Sequence, residues 1–505
     1  MSKEPSDRKE FKIRLSLEQI IFFAYAFFTF ILLIKHEPWE DELQSWCIAQ
    51  SLSVPEILYQ MRYEGHFALW HLLLKPLTAL HLPLFSMGVL AWGFCMAAAY
   101  FFMTKGRFSL IVKCLILLSF PVLYFFPVVA RNYAMIPLVL VGLASYYPVR
   151  VRKPWHYGIF LILLVHTHAY MCGLAGVLGV FFAFELLKRP NKRKTLAVLS
   201  MIGLGVLAAF LQVAPAFGST NIVPVEASEL LEQKDLLRKI GNTCGTLANL
   251  HCEKVDFLPS WLLVVIYFTV LTAGWLGLLW RNWKLFVIFF FGVLWQILFG
   301  AMIYYISLQR VYLPFLILLF CYEISVSTKR KPLPGFQLPA WLSRGSAALT
   351  LLAICSYFAT YYYISNDISR SFSNQWAMAA YIRNHVPADA KIVVFPDTLI
   401  TGTFGAYLPG REFYHSTDNT PFTVFCMPKG PMPAAIDNAL LSRYAGERRE
   451  FYLLFLMGTY ISYRLPYEQR IFRIGDFDLE MTVCTLPQAF FSAGENYLLL
   501  KVTRK

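Results

Sequence analysis

A short acidic segment follows the first apolar run of the chain and holds the residues best suited to catalysis. Four of the six residues from 37 to 42 are carboxylates. Carboxylates just before a helix commonly stabilise its N-terminus, and for Glu37 or Glu40 this structural explanation is as good as a chemical one. Asp41 and Glu42 lie on an otherwise acid-poor membrane face, where ionisable residues usually have a function. We therefore predict that Asp41 and Glu42 act on a substrate.

Two arginines stand near the outer ends of later apolar runs. Arg131 lies in the segment ARNY at 130–133, and Arg310 lies in QRVYLP at 309–314. Side chains that reach out to lipid phosphates are one explanation. The other is a pair of guanidinium groups that hold a substrate phosphate through paired hydrogen bonds, which arginine does better than lysine. Two arginines at one depth, facing a carboxylate pair, favour the second explanation.

Histidines lie in the same outer segments. His66, in GHFALW at 65–70, either marks the turn before an interfacial helix or contacts the substrate, and the sequence supports both equally. His166 and His168 could bind a metal, but two turn histidines without a third ligand are more often polar anchors. The ten cysteines include no Cys-x-x-Cys pair, which gives a zinc or iron–sulfur site little support.

Two cysteine pairs lie in segments that are expected outside the cytoplasm. Cys244 and Cys252 share one external loop, and Cys426 and Cys484 share the C-terminal segment. Each pair forms a disulfide if the compartment is oxidising, or consists of free buried thiols. The sequence leaves both alternatives open.

The composition indicates that the elements carrying these residues lie in a membrane. Of 505 residues, 57% are hydrophobic and 15% are charged, with a mean hydropathy of +0.52, which is too apolar for an ordinary soluble protein. About eleven apolar runs approach the length of a membrane span. They lie near residues 17–35, 84–103, 109–127, 133–148, 156–170, 171–187, 195–217, 260–280, 285–306, 311–326 and 346–364.

The distribution of positive charge predicts the topology. If Met1 starts in the cytoplasm and residues 36–83 stay outside, the inside segments hold 22 of the 31 Lys and Arg residues before position 365. A crossing at 66–83 would put most of this charge outside, against the usual bias. We therefore predict that 36–83 is a long external loop with interfacial helices on the outer face of the cytoplasmic membrane. Residues 17–35 lack a small-residue cleavage site and are expected to be a retained anchor.

With an odd number of crossings, residues 365–505 form an extracytoplasmic domain of ordinary size. A helix-like stretch at 374–384 and strand-like runs at 391–395 and 497–502 predict an α/β fold. This segment holds 14 Lys+Arg against 13 Asp+Glu, so all but one unit of the net charge of +14 belongs to residues 1–364. Because no basic stripe accompanies exposed aromatic residues, no nucleic-acid partner is expected.

Taken together, the order of these motifs resembles the GT-C superfamily of integral-membrane glycosyltransferases. The resemblance is to the polyprenyl-phosphate-dependent type, which includes protein mannosyltransferases and aminoarabinose transferases. It rests on the acidic pair after the first span, the Gly-His-aromatic segment, Ala-Arg-x-Tyr and Arg-x-Tyr-x-x-Pro, and covers roughly residues 15–325. It implies a GT-C-like transmembrane domain over residues 1–364 and an extracytoplasmic α/β domain over residues 365–505.

The resemblance also implies roles for the motif residues. Asp41 would be the catalytic base, and Glu42 would support it or bind substrate. The implied substrate-binding residues, of which the arginines and the second tyrosine contact the donor phosphate, are Glu40, His66, Arg131, Tyr133, Arg310 and Tyr312. Relatives often have His-Pro-Pro where this chain has HFA at 66–68, and some have an acid where Arg131 stands. The role of His66 and the type of acceptor therefore stay open.

The chemistry of such a transfer fits these residue types. A sugar on polyprenyl phosphate already has a good leaving group, so the enzyme supplies a carboxylate for the acceptor's proton and cations for the departing phosphate. Attack opposite the phosphate inverts the anomeric carbon. The scheme requires no metal or other cofactor, and the chain has no nucleotide-binding loop. The expected partners are a lipid-linked sugar donor, a glycan, lipid or protein acceptor, and membrane lipids.

Two other functions compete with glycosyl transfer. A transporter or lipid flippase would place acids or Gly/Pro breaks deep within its spans, whereas Glu18, Glu185 and Glu323 all lie near the predicted cytoplasmic ends. A non-catalytic scaffold for envelope assembly would not need the acidic pair. The sequence favours glycosyl transfer over both.

Overall fold

The computed structural model describes residues 15–213, 235–327, 346–426, 431–466, 469–484, 489–491 and 495–505. These residues form a helical membrane part followed by a domain built on one sheet. The cationic segments 3–14 and 329–344, the end of the seventh apolar run at 214–217 and the start of the following loop lie outside the described residues.

The membrane part contains seventeen described helices. In chain order they are α1 Leu17–Lys35, α2 Glu40–Ser51, α3 Val54–Glu64, α4 Leu69–Ala79, α5 Phe85–Lys105, α6 Leu110–Leu117, α7 Phe126–Val128, α8 Met135–Tyr146, α9 Pro154–Thr167, α10 Cys172–Leu187, α11 Lys192–Val213, α12 Leu236–His251, α13 Ser260–Arg281, α14 Trp283–Met302, α15 Leu313–Ser327, α16 Ser346–Cys355 and α17 Tyr357–Ser369.

The protein is a multi-pass membrane protein, as predicted, but it has fewer full-length spans than the eleven expected. Among the described residues, eight helices are long and apolar enough to cross a membrane, or nine if the bent pair at 110–128 counts as one span. That pair bends by 65° near a π-helical turn at Pro121–Phe125. The helices α9 and α15 have only 14 and 15 residues. Broken and short helices are tolerated where other helices surround them, and most of α15 is buried.

The predicted external loop 36–83 consists of the three short helices α2, α3 and α4. The helix α4 has 11 residues, or about 16 Å, which is too short for a hydrocarbon core of about 30 Å. Two side chains of α4 fix it to the end of α2, because Lys75 and Thr78 both donate to the carbonyl of Ala49, at 3.0 and 2.9 Å. The apolar run 66–83 thus lies against the loop and does not cross, in agreement with the charge pattern.

The C-terminal domain is a mixed seven-stranded sheet flanked by helices. Its elements are α18 Gln375–His385, β1 Ile392–Phe395, α19 Leu399–Gly402, β2 Phe413–His415, β3 Pro421–Phe422, α20 Asn438–Ala445, β4 Glu450–Leu456, α21 Met457–Ser462, β5 Ile471–Ile474, β6 Phe477–Cys484 and β7 Tyr497–Arg504. The strand order is β3-β2-β1-β4-β7-β6-β5, and β1 is parallel to β2 and β4. Every residue of β1 is buried, as its apolar sequence predicts for a central strand. The predicted α/β fold is confirmed.

The C-terminal domain packs on the loop helices. Gln44 of α2 donates to the carbonyl of Phe425 at 2.9 Å, and the hydroxyl of Tyr407 donates to the carbonyl of Pro38 at 3.4 Å. The domain and the acidic segment therefore lie on the same face of the membrane part.

The described cysteines are free thiols. Cys244 and Cys252 belong to one helical segment, eight residues apart, so their backbones are about 12 Å apart, too far for a disulfide. Cys426 is hydrogen-bonded to Gln60 at 3.0 Å, and the side chain of Cys484 lies outside the described residues. For Cys244 and Cys252, the structure therefore has two free thiols and no disulfide between them.

Candidate active site

Asp41 lies in the first turn of α2, and its carboxylate faces two donors. Its Oδ2 is 3.4 Å from Nη2 of Arg131 and accepts a 3.4 Å hydrogen bond from Nε2 of Gln309, the residue before Arg310. Arg131 also donates to the backbone carbonyl of Asp41. The side chain of Asp41 is 24% exposed. Because both side-chain contacts are long, the carboxylate keeps lone pairs for an incoming proton.

Arg131 and Arg310 form a buried cationic pair beside this carboxylate. Nη1 of Arg310 donates to Ser307 at 2.7 Å and to the carbonyl of Tyr305 at 3.2 Å, and the guanidinium carbon lies 4.2 Å from the ring centre of Tyr304. Within the described chain, Nε of each arginine is buried without a hydrogen-bond partner. Buried polar groups are normally paired, so these unused donors mark a place for an anion.

Aromatic and imidazole rings line the same space. The hydroxyl of Tyr133 is 2.9 Å from Nε2 of His168, and the two rings stack with centres 4.7 Å apart. The ring of His66 lies 5.8 Å from that of His168 and 6.4 Å from that of Tyr304. Burial, followed by the positive charge of the arginines, holds the pKa of His66 and of His168 well below the ordinary value. Both imidazoles are therefore neutral hydrogen-bonding groups.

Glu40 lies one residue before Asp41 and meets an acid of the C-terminal domain. Burial raises the pKa of Glu40 well above its usual value, and a hydrogen bond to Glu495 and the charge of Asp41 raise it further. Glu495 is fully buried. Two carboxyl groups in this position share a proton, because both cannot be ionised at short range. The loop and the C-terminal domain thus meet at a protonated acid pair near Asp41.

Glu64, at the end of α3, is an acid that the sequence did not single out. It accepts hydrogen bonds of 2.9 Å from Gln44 and from Gln60. Burial raises the pKa of Glu64, and the charge of Asp41 acts in the same direction. In the sequence, only its position directly before Gly65 and His66 could have pointed to Glu64 as a site residue.

Glu42 turns away from Asp41 and the two arginines. It is fully buried, with Oε2 3.0 Å from Nε2 of His36 and Oε1 accepting a 2.6 Å hydrogen bond from the amide of Ala130. Adjacent residues on a helix differ by about 100° in direction, which sends the two neighbouring carboxylates to different places. Glu42 therefore contacts the protein's own groups.

Tyr312 lies two residues after Arg310 but points into a different cluster. Its hydroxyl donates to the carbonyl of Leu250 at 3.4 Å, and its ring packs against His251 and Phe120 with centres 5.0 and 5.4 Å apart. Within the described residues, no hydrogen bond or ring contact joins Tyr312 to Asp41 or the arginines. Of the eight predicted site residues, the structure brings together Glu40, Asp41, His66, Arg131, Tyr133 and Arg310 and leaves Glu42 and Tyr312 apart.

The described residues contain no group of three or more His, Cys, Asp or Glu side chains that could hold a metal ion. His166 lies 3.0 Å from the carbonyl of Gly205 through Nε2, while His168 is engaged with Tyr133. The two turn histidines thus have separate partners.

A cleft of about 970 Å³ lies between the loop helices and the C-terminal domain. Trp46 and Gln50 of α2 line it together with Arg383 and Arg411. Trp46 and Gln50 point roughly 140° and 180° away from Asp41 around the helix axis, at about 100° per residue. The cleft therefore lies on the opposite face of α2 from the carboxylate.

Comparison with solved structures identifies the fold. The chain superposes on the crystal structure of ArnT from Cupriavidus metallidurans bound to undecaprenyl phosphate, over 95% of its own length and 97% of that chain, with a TM-score of 0.53 and 12% identity. The chain shares its fold with ArnT. The apo structure of ArnT gives the same coverage, with a TM-score of 0.51 and 10% identity. This likeness confirms the predicted architecture, a GT-C-like helical membrane part followed by an α/β domain, at the level of the fold. Neither the protein-family models nor the curated proteins compared match the chain.

Proposed function

We propose that the protein is an inverting glycosyltransferase that moves a sugar from a polyprenyl-phosphate donor to an acceptor hydroxyl. The observation that supports this most strongly is the juxtaposition of a partly exposed carboxylate, Asp41, with two buried arginines whose Nε groups have no partner in the described chain. The ArnT-like fold adds support, because ArnT has been crystallised with undecaprenyl phosphate. The donor phosphate would occupy the cationic pair, and the acceptor would approach Asp41.

The proposed reaction begins with a competition for Arg131. In the free protein this arginine contacts Asp41 at 3.4 Å. A donor phosphate that binds Arg131 and Arg310 would draw the guanidinium towards itself and leave the carboxylate free. Donor binding therefore activates the base, because an unpaired carboxylate accepts a proton more readily than a paired one.

In the transfer step, the acceptor oxygen attacks the anomeric carbon from the face opposite the phosphate. Asp41 takes the hydroxyl proton, the bond between the anomeric carbon and the phosphate oxygen breaks, and the electron pair leaves with the polyprenyl phosphate. The arginines stabilise the negative charge that develops on the leaving phosphate. Tyr133, His66 and Glu40, which lie around Asp41 and the arginines, would contact the sugar.

A carboxamide at position 41 tests this proposal. Asp41→Asn keeps the shape of the side chain but cannot accept a proton, so sugar transfer should fall by about 100-fold or more. The assay is transfer of labelled sugar from lipid-linked donors to envelope acceptors by the purified protein. Asp389→Asn, an exposed site in the C-terminal domain, is the matched control and should be fully active. Full activity of Asp41→Asn would contradict the proposal and favour the scaffold function.

We also propose that the site faces the periplasm or exterior from the cytoplasmic membrane. A thiol label that does not cross the membrane should react with Tyr59→Cys in the external loop and not with Arg152→Cys, in a background without accessible native cysteines. Both positions are exposed in the structure. The opposite labelling pattern would reverse the orientation.

A further inference from the structure

A chain of buried charged side chains lies directly behind Asp41. His36, the residue after α1, contacts Glu42 of α2 through Nε2 at 3.0 Å and Asp367 of α17 through Nδ1 at 3.2 Å. The hydroxyl of Tyr124 donates to the same oxygen of Asp367 at 2.7 Å. The side chains of His36, Glu42 and Asp367 are each at most 2% exposed. One imidazole thus joins the ends of the first and last described membrane helices to the helix that carries Asp41.

The contacts of His36 are best satisfied by its charged form. A neutral imidazole has one N–H donor, whereas both ring nitrogens of His36 face carboxylate oxygens. Burial alone would lower the pKa of His36, but the charges of Glu42 and Asp367 outweigh it and raise the pKa to about 10. Within the described chain, the other titratable groups nearby are Lys35 and Glu37, beside His36 in the chain, and Tyr407, which lies close enough to Glu42 to be influenced by its charge. The ring centre of Phe372 is 4.5 Å from that of His36.

Glu42 transmits this arrangement to both sides of the candidate active site. Its Oε1 accepts a 2.6 Å hydrogen bond from the amide of Ala130, and Arg131, the next residue, contacts Asp41. Glu42 and Asp41, which are adjacent in α2, therefore hold Ala130 and Arg131, which are adjacent in the segment before α8. One link is the fixed bond from Glu42 to Ala130, and the other is the Asp41–Arg131 contact that the proposed reaction must open and close.

We propose that His36 is a positioning residue for sugar transfer: as a buried cation between Glu42 and Asp367, it keeps Glu42 bound to Ala130 and so fixes the spacing of Asp41 and Arg131. This inference rests on the proposed function, because it assigns a role relative to that base and that arginine. In the proposed scheme, His36 contacts neither donor nor acceptor. Without its charge, Glu42 would be a buried carboxylate with no cation and would move towards water, taking the first turn of α2 with it.

The first test is His36→Gln, with His385→Gln as a matched control on the exposed end of α18. In His36→Gln, kcat should fall about 30-fold while KM for the lipid-linked donor changes less than threefold, since the groups proposed to hold the phosphate are unchanged. The double variant His36→Gln/Glu42→Gln removes the unpaired carboxylate at position 42 and keeps an oxygen for the amide of Ala130, while Asp367 keeps its hydrogen bond from Tyr124. Its kcat should recover to within about fivefold of the unmodified protein. A folded His36→Gln protein with an unchanged kcat would overturn the inference.

A pH profile keeps the test decisive even if His36→Gln fails to fold. A raised histidine pKa means that the cation is present below about pH 10 and is lost as the pH rises through that value. The unmodified protein and His385→Gln should therefore lose kcat near pH 10, and the double variant should not show this loss. A double variant that follows the alkaline limb of the unmodified protein would refute the positioning role.

The two proposals fail separately. If Asp41→Asn transfers sugar normally, the proposed function is wrong. If Asp41→Asn is inactive while His36→Gln behaves like His385→Gln, the proposed function stands and only the role of His36 is refuted.

Discussion

Replacing Arg310 by alanine should weaken the binding of polyprenyl phosphate by about 100-fold. Arg310 is 3% exposed, and only its Nη1 group donates to protein acceptors in the described chain, at Ser307 and Tyr305. Nε and Nη2 are left for an anion. Two hydrogen bonds between charged groups, at about 1.5 kcal/mol each, amount to about 3 kcal/mol. This corresponds to about 100-fold in affinity, since about 1.4 kcal/mol is tenfold.

The affinity is measured by isothermal titration calorimetry, in which polyprenyl phosphate is titrated into the purified protein in nanodiscs. Arg310→Lys keeps the positive charge but not the planar pair of donors, so its affinity should fall by about 10-fold, between the alanine variant and the unmodified protein. Arg470→Ala removes an arginine whose side chain is 79% exposed, and it should bind normally. Thermal unfolding of each variant separates a loss of binding from a loss of fold.

A folded Arg310→Ala protein that binds polyprenyl phosphate within threefold of the unmodified protein would refute a role of Arg310 in holding the phosphate. In that case the guanidinium of Arg310 would serve mainly to pack on the ring of Tyr304, whose centre lies 4.2 Å from the guanidinium carbon. An affinity that falls equally in Arg310→Lys and Arg310→Ala would show that the paired geometry, more than the charge, holds the phosphate.

Three further changes probe the surrounding groups. Glu40→Gln should reduce transfer yet raise the melting temperature at neutral pH. The raised pKa of Glu40 means that the folded protein keeps a proton on a group that is ionised in the unfolded chain, which costs stability, whereas a neutral amide needs no proton. A lower melting temperature would contradict the shared proton. Asp397→Asn should destabilise the C-terminal domain by about 2 kcal/mol in chemical denaturation, because buried carboxylates that accept several hydrogen bonds are costly to lose. Burial would raise the pKa of Asp397, but the contact with His415 and the hydrogen bonds from hydroxyl and amide groups outweigh burial and lower that pKa. In the unmodified protein this stability is therefore lost as the pH falls below the usual aspartate range. An Asp397→Asn variant with the same sensitivity to acid would argue against this origin. Tyr133→Phe removes one hydrogen bond to His168 and keeps the ring stack, so kcat/KM should fall about fivefold in the transfer assay.

The residues that bring charge to one face of the membrane part could be found without coordinates. Asp41, Arg131 and Arg310 are charged residue types in a strongly apolar chain, and a charged side chain near a membrane is costly unless it has a function. The charge pattern also predicted that residues 66–83 do not cross, and α4 is indeed too short to do so. These predictions depend only on the solvation of charge and on chain length, both of which are properties of the sequence.

The direction in which each side chain points could not be read in this way. Asp41 and Glu42 are adjacent acids with the same sequence context, yet one faces the arginines and the other faces His36. Tyr312 shares a motif with Arg310 but packs on His251. Their directions depend on the phase of a helix and on which neighbouring elements pack against it.

Neutral and distant partners were also beyond the sequence. Gln309 and Glu495 acquire their place beside Asp41 and Glu40 only when segments some 270 and 450 positions apart in the chain meet. The sequence by itself determined that the chain spans a membrane and carries acids and arginines on one face, because the hydration of charged and apolar groups acts on each segment separately. The tertiary structure alone decided which carboxylate meets which cation, because a hydrogen bond or ion pair forms only between atoms that packing brings within a few ångströms.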